Sequence, residues 1–358
     1  MDLDNSQTSH KNLTSAEIGK LWATYMGNSM AIRILQYYLQ HVEDEDIQNA
    51  VEFALQLCED LIERITYIYK KEQHPIPVGF TQHDVNLKAP RLYLDEFYLH
   101  YLKYTAKAGM SLYMTALPLM TREDTKELYT FCILKTAELV NKVNKVLQAK
   151  GYIQSPPIIP IPNQIDFVKK QQYLHGVFGH TRTPHAIEIT HLHDNLENNV
   201  TSKALLIGFT QIARDEKVRN ILIRGKELTE RHISQFSETL NRDHLPSPPH
   251  LDHLVTASTV PPFSDKLLLA HKIDMFSMKI RGYGNAISLN GRRDIGFLAA
   301  RLLLEVALYV EDLGNVMIEK GWLEQIPEAP DRDSLASDMK EKGSNHSAFF
   351  NFSIDRQV

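Results

Sequence analysis

Histidines and carboxylates that fall on apolar helical stripes are the residues of this sequence best placed to do chemistry. A polar group in a bundle core costs free energy unless it is hydrogen-bonded or metal-bound. His232 stands between Leu228 and Phe236 at spacings of four, and His271 shares a stripe with Leu267, Met275 and Met278. Glu305 and Asp312 interrupt the series Leu298, Leu302, Tyr309 and Val316. Histidines and a carboxylate pointing inward from three helices suit iron, manganese or zinc. His191 ends the string Glu188-Ile189-Thr190-His191, an E-x-x-H arrangement of the kind di-iron bundles use, and Glu197 follows on another face. The expectation is a transition-metal site of His232, His271 and Glu305, then His191, Asp312 and Glu197, open to oxidation or peroxide handling. No serine, cysteine or lysine nucleophile constellation is recognisable, so no catalytic residue is assigned.

Each of these residues also has a plainer use. Glu305 can pair with Arg301 one turn earlier, Glu188 can serve a helix N-terminus, and His191 and His193 can be solvated. The alternative to metal chemistry is a non-catalytic structural or protein-interaction bundle whose inward polar groups fix packing. Gly282-Tyr283-Gly284 lacks the preceding strand of a nucleotide loop and reads as close helix packing.

The elements that must position these residues follow from apolar periodicity. Three- and four-residue spacing predicts helices at roughly 14–41, 44–72, 92–119 and 123–150, and again at 184–212, 215–242, 263–288 and 292–320. Thr14 to Glu17 reads as a capping box, Thr183-Pro184 as an N-cap followed by proline, and Gly151 and Gly321 as helix stops. No stretch alternates as a strand. Counted from the end where the first helix of the second set begins, the heights of His232, His271 and Glu305 differ by on the order of 10 Å, so a shared site is geometrically allowed.

The two sets of four helices are a tandem duplication. Glu17, Ile18 and Leu21 return as Glu188, Ile189 and Leu192 at a shift of 171; Arg122, Asp124, Lys150 and Gly151 return as Arg292, Asp294, Lys320 and Gly321 at a shift of 170. A one-residue deletion before Asp265 reconciles the two shifts. The first copy is an internal control: His191 corresponds to Lys20, His232 to Leu61, His271 to Tyr101, Glu305 to Lys135 and Asp312 to Lys142. The metal site is expected in the second copy alone, with the first as its scaffold.

Connection lengths choose the topology. The first two helices of each copy, and the last two, are joined by a few residues. The middle pairs are joined by about 17 extended residues that reach up to roughly 55 Å. Short, long, short predicts an all-α chain of two tandem ferritin-like four-helix bundles. The tandem order, together with Pro75 to Phe80, Phe263 to Leu267 and Gly321 to Glu324, resembles the bacterial "domain of unknown function 3231" family of Bacillus-type spore formers. The resemblance implies the tandem bundle and carries over no catalytic residue.

The expected organisation is a polar tail at 1–12, a bundle at 13–160, a connector at 161–183, a bundle at 184–330 and a polar tail at 331–358. Phe167, Tyr173, Val177 and Phe178 make the connector apolar enough to pack as a short helix or strap against one domain, and Phe349, Phe350 and Phe352 suggest that the last stretch docks. With 39 basic and 44 acidic residues, the chain has no field to attract nucleic acid or an anionic membrane. The polar start lacks a secretory signal and no apolar run spans a bilayer, so a cytoplasmic protein is expected. Two cysteines exclude a disulfide scaffold, and the sequence is compatible with a homo-oligomer.

Overall fold

The computed structural model describes residues 12–153, 155–176, 181–289 and 291–337. The first bundle comprises α1 (Ser15–Leu39), α2 (Glu45–Lys71), α3 (Asp95–Ala116) and α4 (Glu123–Ala149). The second comprises α5 (Ala186–Ile212), α6 (Glu216–Asn241), α7 (Asp265–Leu289) and α8 (Arg293–Glu319). All eight lie within a few residues of the spans that periodicity predicts. Among the described residues there is no strand, and no helix is long and apolar enough to cross a membrane.

Local chemistry sets the helix ends. Thr14 and Glu17 form the expected capping box on α1, and Asp44 and Asp215 accept backbone N–H groups at the starts of α2 and α6. Gly151 and Gly321 follow α4 and α8 with φ of +71° and +67°, the left-handed stop that glycine adopts without a Cβ penalty. The expected cap at Thr183 moves to His185. Its Nδ1 accepts the Glu188 N–H at 3.2 Å, while the Glu188 carboxylate accepts the His185 N–H at 3.0 Å. This reciprocal pairing outcompetes the proline start, so α5 begins after Pro184.

Residues 72–94 and 242–264 are the long crossovers of the two bundles, and the remaining helix pairs are joined by a few residues. The crossovers pair with each other. Asn86 N–H donates to Pro262 O at 2.7 Å and Thr256 N–H to Leu92 O at 2.9 Å. Leu94 N–H donates to Leu254 O at 2.9 Å and Ser264 N–H to Asp84 O at 3.0 Å. Adding 170 to one member of each duo produces the other with the roles exchanged, the signature of a self-complementary twofold interface. The bundles are thus joined as the halves of a symmetric dimer would be, within one chain. Helices α1 and α3 meet α5 and α7 across this approximate axis, and one apolar core runs through both bundles.

The connector holds a short 3-10 helix at Gln171–Leu174, while its earlier part is exposed. Ile165, Phe167 and Val168 are exposed, and ordered contact begins at Tyr173, whose ring lies under Arg182 at 4.0 Å. Apolar content alone does not secure a segment that lacks helical or strand periodicity. Val177, Phe178, the first eleven residues and Phe349, Phe350 and Phe352 lie outside the described residues. Residues 325–337 belong to a separate unit, in which the Asp331 carboxylate caps a short helical stretch at 332–337.

Candidate functional site

In the second bundle, α6 and α8 bring two of the predicted residues together. His232 is fully buried, and its Nε2 lies 3.3 Å from Glu305 Oε2. Its Nδ1 lies 2.9 Å from the Tyr283 hydroxyl, which in turn takes an N–H from Asn199 at 2.9 Å. One proton arrangement satisfies this chain: Asn199 donates to Tyr283, Tyr283 to Nδ1, and Nε2–H to the carboxylate. Burial, then the nearby Lys279, lowers the His232 pKa to about 3, so the ring is neutral. Glu305 also lies 4.0 Å from Arg301, the plainer pairing anticipated for it.

The other predicted ligands lie elsewhere. His271 Nε2 is 2.9 Å from the hydroxyl of Tyr101, on the first bundle's α3. Asp312 pairs with Arg224, Glu197 pairs with Lys103 at 2.5 Å, and His191 is half-buried near the start of α5. Among the described residues no three His, Cys, Asp or Glu side chains form a group that could hold a metal ion. His232 and Glu305 thus meet each other, while His271 meets Tyr101. The stripe on α7 is apolar because the helix is covered on two sides, and His271 occupies the side that meets the other bundle. Asp312 and Glu197 lie where surface and inter-bundle cations reach them.

Periodicity also passed over two buried lysines. Lys272 and Lys279 stand on α7 with Leu268, Met275 and Tyr283 at spacings of four and three, the same test that marked the histidines. Lysine is rarely fully buried, so a lysine on such a stripe ordinarily marks a solvated edge. Lys272 Nζ donates to Ser202 Oγ at 3.0 Å and Lys279 Nζ to Thr229 Oγ1 at 2.9 Å, with Phe276 packed against both. Burial lowers the pKa of both amines well below the usual lysine range.

The first bundle holds an opening in its apolar interior. A cavity of about 410 Å³ is lined by α1, α2, α3 and α4 and closed on one side by α7. It exists because α3 carries Ala106, Ala108 and Gly109 where α7 carries Phe276, Met278 and Lys279. Opposite them, Leu61 and Leu139 stand for His232 and Tyr309. In the second bundle those five larger side chains are buried and occupy the equivalent space.

The cavity wall is apolar with a few polar groups. Asn28 donates to the Tyr113 hydroxyl at 3.3 Å, the counterpart of Asn199 and Tyr283. Asp274 is accessible at the wall yet enclosed by protein, and burial raises its pKa against the opposing pull of Arg281. Arg281, at the far end of the same helix face, makes no hydrogen bond or ion pair among the described residues. Lys20 is within electrostatic reach of it, and burial, then the Arg281 charge, lowers the Lys20 pKa.

Comparison with known proteins adds the following. The sequence profile of the family described as "Protein of unknown function (DUF3231)" matches residues 1–165 and again 172–335. No curated protein matches the sequence. A crystal structure from Bacillus halodurans C-125, described as a "putative spore coat protein", shares 17% identity with a TM-score of 0.39, covering 42% of this chain and 98% of its own.

Proposed function

The chain belongs to the DUF3231 family, described only as of unknown function, and from its own geometry we propose that the first bundle binds an apolar small molecule while the second braces it. The carrying observation is the asymmetry between copies: small residues hold a cavity of about 410 Å³ open in one, and large ones fill it in the other. That volume falls within the usual range for ligand sites, and its wall of aliphatic and aromatic side chains with a few polar groups is the usual lining. The His232–Tyr283–Asn199 chain and the two buried lysines fit a second bundle whose polar interior fixes packing. A reducing cytoplasm suits Cys58 and Cys132, both free thiols.

The chain's two tryptophans, Trp22 and Trp322, both line the cavity, so their fluorescence reports occupancy. Titration with 1-decanol, a neutral apolar probe, is expected to shift their emission saturably. Ala106→Phe and Ala108→Met, each installing the side chain of the filled copy, are expected to abolish the response while the protein stays folded. An unchanged response in both variants would reject the cavity as the site.

A second reading keeps iron, manganese or zinc in the second bundle and rests on the approach of His232 to Glu305. Two side-chain ligands are fewer than the three that a catalytic zinc site takes. Metal analysis of untagged protein after anaerobic iron loading tests it, and no retained metal above background removes it.

A further inference from the structure

The cavity is long. Its lining runs along α1 from Trp22 to Leu35 and along α7 from Ala270 to Arg281, which at ~1.5 Å per residue is a length of about 16 to 20 Å.

The two ends differ in charge. At one, Arg281 has no ion-pair partner among the described residues, and Lys20 stands beside it with its amine donating only to Thr115 Oγ1 at 3.1 Å. At the other, the wall is made by Leu35, Leu102 and the Tyr101–His271 pair; the Glu324 carboxylate, which accepts the Val78 and Gly79 N–H groups, also lines the cavity. Asp274 lies between them, two turns before Arg281.

Building on the proposed apolar-ligand function, we infer that the ligand is a single-chain amphiphile with an anionic head, a long-chain carboxylate being the simplest. Its head pairs with Arg281 and its tail extends toward Leu102 and Leu35. A guanidinium binds a carboxylate with two parallel N–H groups and needs no other partner at that end. Arg281 is thereby a specificity residue for the head, while Ala106 and Ala108 admit the tail.

The test compares decanoate with 1-decanol in the full chain, each below its aggregation concentration, read by tryptophan fluorescence and confirmed by calorimetry. Decanoate is expected to bind one to one and more tightly than the alcohol. Arg281→Gln is expected to weaken decanoate about tenfold and leave 1-decanol unchanged, and Arg281→Lys to restore part of the loss. If the variant and the wild type bind acid and alcohol alike, the head assignment is wrong and the cavity reading stands. If neither probe binds the wild type, or binding survives Ala106→Phe and Ala108→Met, the cavity reading falls and the amphiphile with it.

Discussion

Tyr101 and His271 are each other's counterparts in the two repeats, and they touch: the Tyr101 hydroxyl lies 2.9 Å from His271 Nε2, their rings stacked with centroids 5.6 Å apart. Equivalent residues can meet only near the axis that relates the copies, so this pair and the crossover ladder mark the same approximate twofold. In a dimer of identical chains the two would be the same residue. Duplication let them diverge into a hydrogen-bonding pair.

Tyr101→Phe leaves the buried His271 ring without its partner. The expected loss is about 1 to 3 kcal/mol, the cost of an unsatisfied buried polar group, read as a lower urea midpoint with unchanged slope.

Acid should weaken the fold before the carboxylates titrate. Burial lowers both His232 and His271 to about 3 from an ordinary value near 6.5. Between those values the unfolded chain binds protons that the native chain refuses, so stability is lost as pH falls from 6.5 toward 3. The slope reaches up to about 1.4 kcal/mol per pH unit for each histidine. His232→Leu, the residue of the first copy, should remove roughly half of that slope in denaturant titrations across the window.

Lys279→Met should stabilise the protein at neutral pH. Burial lowers the native-state pKa of this amine well below its ordinary 10.5, so the unfolded chain takes up its proton first and the lysine costs stability as pH falls below 10.5. Methionine fills similar volume without that cost, and Thr229 keeps its bond to Gly225 O at 2.8 Å. The expected gain is about 1 to 3 kcal/mol, with a flatter pH dependence just below 10.5 in urea unfolding.

Glu188→Ala should be among the most damaging single changes in the second bundle. This fully buried carboxylate takes Arg182 at 2.8 Å through both guanidinium nitrogens, the His185 N–H at 3.0 Å and the Arg292 N–H at 2.7 Å. Removing it strands charged and backbone donors together, a loss of about 3 to 5 kcal/mol. Thermal unfolding of the purified variant measures it.

The sequence by itself determined the helices, the duplication and the connectivity, because each is written in local or self-comparative patterns. Apolar spacing marks a helix wherever it packs, and paired landmarks such as Arg122 and Arg292 mark a repeat whatever its shape. It also placed His232 and Glu305 at matching heights on neighbouring helices, and these meet. Tertiary structure decided which neighbour each inward face has. On α7 the stripe with His271 faces the other bundle and the stripe with Lys272 and Lys279 faces its own core; periodicity shows that both are covered and not by what. The cavity was illegible for a related reason. Ala106, Ala108 and Gly109 read as ordinary helix residues, and empty volume appears only when α1, α2 and α4 are set at a fixed distance around them, because a void belongs to the packing of several elements and to no residue alone.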